Sequence, residues 1–89
     1  MKPWALKLEA AAERSLARLP ERVAVAVAEF MVGPMLDDPS KVGRPLQREL
    51  NGYHSARRGA YRIIYRIDAP AHTVRVLRIE HRADVYRGR

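Results

Sequence analysis

The chain has 89 residues, of which 47% are hydrophobic and 30% are charged, and this composition predicts one small folded domain over residues 1–89. It contains no cysteine, which excludes a disulfide framework and a thiolate metal site. No apolar run is long enough to cross a bilayer, and the first residues lack the pattern of a signal peptide. We therefore expect a cytoplasmic protein with no membrane partner.

The positive charge is concentrated in the second half of the chain. Residues 1–40 contain five basic and six acidic side chains, whereas residues 41–89 contain twelve basic and four acidic ones. Eleven of those twelve are arginines, Lys41 being the exception. Guanidinium groups match the geometry of phosphate and stay charged at any working pH. The second half is therefore predicted to meet a polyanion or an acidic partner.

The first half predicts one strand followed by two helices. Residues 4–8 alternate and form a short strand with Trp4, Leu6 and Leu8 pointing inward. Residues 9–19 are rich in helix formers, and a second helix opens at Pro20 and ends at Val32. The long apolar stretch of the second helix predicts burial on most of its circumference. We expect the two helices to form a hairpin.

The second half predicts three consecutive antiparallel strands. Residues 33–49 contain mostly turn signals, and the strands follow over residues 53–57, 61–68 and 73–81. The apolar alternation of the last strand slips between Val76 and Leu77, which predicts either a bulge or burial on both faces. The fold class is therefore α+β, a small, mainly antiparallel sheet with a helical hairpin packed on one face, in the order β-α-α-β-β-β.

The strand over residues 61–68 divides the predicted sheet into an apolar and a cationic face. Tyr61, Ile63, Tyr65 and Ile67 alternate with Arg62, Ile64, Arg66 and Asp68. We expect the helices to cover the tyrosine side, so that the arginine side stays open.

The side chains expected on the open face form a plausible set for cleaving a phosphodiester. Arginines stabilise charge on a pentacoordinate phosphate, an imidazole transfers protons, and a phenol stacks on an unpaired base. His54 and His72 show no spacing typical of metal ligands, so we expect no metal and no cofactor. The candidates on the hairpin are Arg57, Arg62 and Arg66, and those at and after the last strand are His81, Arg82, Asp84 and Tyr86.

Three runs of sequence resemble the RelE toxins of the RelE/ParE superfamily, most of all the RelG branch. They are KVGRPL from Lys41 with ELNG from Glu49, SARRGAYRIIYRID from Ser55, and VLRIEHRADVY from Val76. The resemblance implies a toxin of a type II toxin–antitoxin system that cleaves mRNA in the 30S A site of the ribosome. In this chemistry the 2′-hydroxyl of the mRNA attacks the adjacent phosphate without a metal. The implied partners are a cognate antitoxin, the ribosome with its mRNA, and operator DNA reached through the antitoxin complex.

The resemblance also assigns roles to individual residues. Arg62, Arg82 and Tyr86 match catalytic positions of the family. Many RelE enzymes use two lysines on the preceding strand. Their positions correspond to about Tyr53 and Ser55 here, so this chain lacks both lysines. Either Arg57 and Arg58 supply the missing charge, or His81 takes over part of the acid–base work. The predicted catalytic residues are thus Arg62, Arg82, Tyr86 and His81, and the predicted RNA-binding residues are Tyr53, Ser55, Arg57, Arg58 and Arg66.

Two other functions are compatible with the same fold. A ParE-like protein would inhibit DNA gyrase without cutting RNA. A degenerate toxin would act only as the partner and corepressor of its antitoxin.

Overall fold

The computed structural model describes residues 3–83, so Asp84 and Tyr86 lie outside the described residues. Within that range no helix is both long enough and apolar enough to cross a membrane. A single turn of 3-10 helix at Arg48–Leu50 precedes the third strand. The elements are β1 (Ala5–Leu8), α1 (Ala10–Arg18), α2 (Glu21–Val32), α3 (Pro34–Asp37), β2 (Arg44–Pro45), β3 (Tyr53–Arg58), β4 (Tyr61–Asp68) and β5 (Thr73–His81).

The five strands form one sheet in the order β1-β5-β4-β3-β2. All neighbours are antiparallel except β1, which runs parallel to β5. The ring of Trp4 stacks on His72 with 4.0 Å between centroids, and the Ala5 N–H donates to the His72 carbonyl over 3.0 Å. These contacts hold the start of β1 beside the start of β5. The predicted fold class and element order are confirmed.

The two faces of the sheet divide as the sequence predicts. Ile63 and Tyr65 are fully buried in one apolar cluster with Val27 and Met31 of α2. Tyr65 lies opposite Val76 on β5, while Ile64 lies opposite Arg78, so the register shifts by one residue at Leu77. The predicted bulge is therefore confirmed. Because of the alternation along β4, Arg62 and Arg66 lie on the face opposite the helices.

The prediction that α2 is buried on most of its circumference is wrong. Val27 and Met31 are buried, but Val25 is 51% exposed and Val32 is 60% exposed. The helix packs only one stripe against the sheet, and its outer side carries valines that the apolar run could not distinguish from core residues.

The segment over residues 33–49 is more regular than predicted. It contains α3 and the two-residue strand β2, in which Arg44 pairs with Ser55 and Pro45 pairs with His54. A two-residue strand has no periodic pattern that a sequence could reveal. Pro45 fits there because an edge strand does not need every backbone N–H.

The buried side chain of Tyr65 ties this segment to the sheet. Its hydroxyl donates a hydrogen bond of 2.6 Å to the buried carbonyl oxygen of Pro39. Burial raises the pKa of Tyr65 from 10.0 to about 12. Because the folded state favours the neutral phenol, this contribution to stability is complete below pH 10 and is lost as the pH rises towards 12.

Tyr65→Phe should lower the free energy of unfolding by about 1–2 kcal/mol, because the Pro39 carbonyl loses its donor inside the protein. Urea denaturation at neutral pH measures the change, with Tyr61→Phe, in a partly buried side chain, as the matched control. In alkaline titration of the wild type, Tyr65 should ionise only as the pH approaches 12. Ionisation of Tyr65 near pH 10, together with an unchanged stability of Tyr65→Phe, would contradict the buried hydrogen bond.

Candidate nucleic-acid interface

A basic pocket of about 630 Å³ opens between β3, β4 and the segment that leads into β2. Its lining contains four cationic side chains and no carboxylate. These features favour an anionic ligand. The lining residues are Lys41, Val42, Gly43, Arg44, Pro45, Leu46, Ser55, Arg57 and Arg62.

The β3–β4 hairpin brings two of those cations together. Arg57 and Arg62 lie directly opposite each other in the antiparallel register. Gly59 makes the tight turn between the strands possible because its φ of +62° is one that other residues rarely adopt. Like charges at opposed strand positions are destabilising unless something screens them. An anion in the pocket would relieve this repulsion.

The other wall of the pocket is the segment from Lys41 to Pro45. Gly43 approaches β3 so closely that a Cβ there would lie 2.6 Å from the Tyr65 hydroxyl and 2.8 Å from the Ser55 carbonyl oxygen. Only glycine fits this position without a shift of the backbone. The close contact holds Lys41 and Arg44 beside Arg57 at the pocket.

A carboxylate on β5 holds Arg62 from the side away from Arg57. Glu80 lies opposite Arg62, and its Oε1 accepts a 3.3 Å hydrogen bond from Arg62 Nη2. The other oxygen of Glu80 contacts Nε of Arg78. Sequence reasoning missed Glu80, Lys41 and Arg44 as members of the site. The bulge in β5 hides the pairing of Glu80 with Arg62, and no pattern marks two loop cations as pocket residues.

The remaining open-face candidates lie farther along the sheet. Tyr53 pairs with Arg66, which in turn lies opposite Arg75. Asp68 accepts a 3.0 Å hydrogen bond from Arg75 Nε. This bond, with a second from the Ala71 N–H, lowers the pKa of Asp68 below its ordinary value. Ser55, in contrast, lines the pocket itself.

Two predicted site residues, His81 and Arg58, face the helix side, so the expectation that His81 shares the open face with Arg62 is wrong. His81 pairs with Tyr61, and their rings meet edge to face at 5.0 Å. His81 Nδ1 also accepts a 3.0 Å hydrogen bond from the Ala83 N–H. Arg58 pairs with Tyr61 too, and both line a groove of about 320 Å³ against α2. Strand alternation explains both placements, since each residue is adjacent in sequence to one that faces the pocket side.

Arg82 lies at the end of the sheet that carries the pocket. Its backbone N–H donates a 2.8 Å hydrogen bond to the Ala60 carbonyl, in the turn between β3 and β4, and its side chain is exposed. Tyr86 falls beyond the described residues. Residues 3–83 contain no group of three or more histidine or carboxylate side chains placed to hold a metal ion.

Comparison with known proteins identifies the family. Residues 6–86 match the family described as the ParE toxin of the type II toxin–antitoxin system parDE. The chain belongs to this toxin family. It is 49% identical to the toxin RelG of Mycobacterium tuberculosis over 96% of this chain and 98% of that protein. It is 46% identical to the toxin RelE of the same organism, over 96% of this chain and 88% of that protein.

A solved structure agrees with these matches. The RelBE2 toxin–antitoxin complex from Mycobacterium tuberculosis contains a chain of the same fold, with a TM-score of 0.87 and 49% identity. The match covers 94% of this chain and 97% of that one. The predicted resemblance to RelE toxins is thereby confirmed, as is the broader prediction of a toxin of a type II toxin–antitoxin system.

Gly43→Ala should disturb the pocket more than the fold. The added methyl group must displace the segment from Lys41 to Pro45, at a cost of about 1–3 kcal/mol. The matched control is Gly59→Ala, where a Cβ meets nothing within 4 Å and only the positive φ opposes the change. Denaturation curves and binding of a single-stranded RNA oligonucleotide measure both variants. We expect Gly43→Ala to bind RNA more weakly than the wild type and Gly59→Ala to bind it as the wild type does. Equal binding by the two variants would contradict the proposed effect of the close contact between Gly43 and β3 on the pocket.

Proposed function

We propose that the protein is a ribosome-dependent endoribonuclease that inhibits translation by cutting mRNA. The observation that carries this proposal is the basic pocket, in which Arg57 faces Arg62 and the lining contains no carboxylate. An RNA phosphate would fill that pocket and screen the two guanidinium groups. The family supports a toxin, and the pocket favours a nucleic-acid substrate among the possible targets.

In the proposed reaction, Arg62 and Arg82 bind the scissile phosphate. The 2′-oxygen of the RNA attacks the phosphorus, and the bond from phosphorus to the 5′-oxygen of the next nucleotide breaks. One proton leaves the 2′-hydroxyl and one is delivered to the departing 5′-oxygen, so the products carry a 2′,3′-cyclic phosphate and a 5′-hydroxyl. Arginines aimed at the developing negative charge lower the barrier, and each such donor contributes about 3 kcal/mol.

The other predicted residues take supporting roles in this proposal. Ser55 and Arg57 contact the RNA in the pocket, and Tyr53 and Arg66 continue the RNA path along the open face. Tyr86 positions the base next to the cut. His81 is the candidate acid or base, and it would act only after its ring leaves Tyr61 and turns towards the open face. Arg58 lies off this path, so we assign it to long-range attraction of the RNA.

The partners follow from the same proposal. A cognate antitoxin would neutralise the toxin, and the RelBE2 complex supports this because it is a toxin–antitoxin complex. The ribosomal A site would present the mRNA, which places the protein in the cytoplasm. Operator DNA would be reached through the antitoxin complex. The excess of basic residues in 41–89 would speed each of these encounters with an anionic partner.

Arg62→Ala or Arg82→Ala should abolish growth arrest when the protein is expressed without its antitoxin. Each variant removes a guanidinium from the reacting phosphate, and the rate should fall on the order of a hundredfold or more. The matched control is Arg14→Ala on α1, which removes an exposed arginine from the helical side of the molecule. Growth curves and antitoxin pull-down measure the outcome, and binding to the antitoxin should persist. Full toxicity of both Arg62→Ala and Arg82→Ala would refute these two roles.

A second function is favoured by one observation, because the matching family description names ParE and parDE rather than RelE. A protein of that type would act on DNA gyrase and leave mRNA intact. Mapping the 5′ ends of cellular mRNA after induction separates the two. We expect new 5′ ends in frame within translated messages. Intact mRNA with an induced DNA-damage response would support gyrase inhibition, and absence of any growth arrest would support a degenerate corepressor.

A further inference from the structure

Glu80 is shared by two arginines on the open face of the sheet. It lies between Arg62 on β4 and Arg78 on its own strand, and each of its oxygens contacts one guanidinium group. The side chains of Arg62 and Glu80 are only 34% and 21% exposed. We propose that Glu80 is a positioning residue that fixes the guanidinium of Arg62 for cleavage, an inference that rests on the function proposed above.

The need for such a residue follows from the surroundings of Arg62. Its direct neighbour on β3 is Arg57, whose like charge pushes the guanidinium of Arg62 away. Glu80 attracts it from the opposite strand, so the two forces act along the same row of the sheet. The hydrogen bond engages Nη2 of Arg62 and leaves other N–H groups for the pocket that this side chain lines.

The position of the Glu80 carboxylate beside Arg62 is explained neither by a contribution to folding stability nor by a contribution to RNA affinity. Partly exposed ion pairs contribute little to folding, and a negative charge beside an anion pocket weakens the binding of every anion. The remaining effect is orientation of Arg62. A small displacement of a catalytic group can greatly lower the reaction rate. Glu80 should therefore influence binding and cleavage in opposite directions.

Glu80→Gln should bind RNA more tightly and cut it more slowly. Loss of one negative charge next to the pocket should tighten the binding of a single-stranded RNA oligonucleotide by about twofold at low salt. Loss of the ion pair between Glu80 and Arg62 should slow the cleavage of ribosome-bound mRNA on the order of ten- to a hundredfold. Glu80→Asp keeps the charge and should recover part of the cleavage rate.

Asp68→Asn is the matched control. It also removes one negative charge from the open face, but at the other end of β4, where Asp68 forms a 3.0 Å ion pair with Arg75. Its RNA affinity should rise slightly and its cleavage rate should stay that of the wild type. A general weakening of the sheet would instead slow both variants and would leave Glu80→Asp without benefit.

The experiment measures oligonucleotide affinity, cleavage of ribosome-bound mRNA, and the NMR signal of the Arg62 Nε–H group in the full-length chain. We expect that signal to become mobile in Glu80→Gln and to stay rigid in Asp68→Asn. If the wild type cleaves the mRNA and Glu80→Gln cleaves it equally fast, the inference is overturned and the proposed function stands. No cleavage by the wild type would overturn the proposed function. In that case the inference would stand or fall on the NMR signal alone, and an Arg62 that stays rigid without Glu80 would overturn it.

Discussion

The alternation of side chains along β4 is the constraint on which the rest of the molecule depends. Ile63 and Tyr65 enter the apolar cluster beneath the helices, so Arg62 must point to the other face. The short turn after Arg58 then fixes the register that sets Arg57 against Arg62. Burial on one side of the strand therefore enforces an electrostatic conflict on the other. Glu80 attracts the guanidinium of Arg62 from β5, and an anion in the pocket would reduce the repulsion between Arg57 and Arg62.

The core also shapes the pocket through a single hydroxyl group. Tyr65 is buried by the same packing that orients Arg62, yet its oxygen reaches the Pro39 carbonyl and lies beside Gly43. The segment that carries Lys41 and Arg44 is thus attached to the central strand rather than to the surface. Loss of this hydrogen bond should therefore affect the pocket as well as the stability of the fold.

Much of the fold could be predicted because long periodic segments carry their own signal. The alternation of β4, the phase slip at Leu77 and the extents of both long helices all agree with the structure. The two-residue strand β2 is too short to show a periodic pattern. The exposed valines of α2 were predicted to be core residues because they lie in a long apolar run. Neither feature can be recovered without knowing what the helix and the edge strand pack against.

The site was harder to predict than the fold, because it depends on pairing between strands. Alternation and resemblance predicted Arg62, Arg57 and Ser55 as site residues, and all three line the basic pocket. Glu80 was missed because the bulge shifts its partner, and His81 was expected on the open face although it lies on the helix side. Near a strand end, a shift of one residue in register decides whether a side chain faces the pocket side or the helices. The sequence alone did not predict the register of β5 beyond the bulge.

The proposed function requires that this toxin cuts RNA only when a ribosome presents it. The most direct measurement incubates the purified chain with the same mRNA, either free in solution or bound to ribosomes with an empty A site. We expect cleavage of the ribosome-bound mRNA within the A-site codon, with a 5′-hydroxyl on the downstream fragment, and an intact free mRNA. Intact mRNA under both conditions would contradict the account.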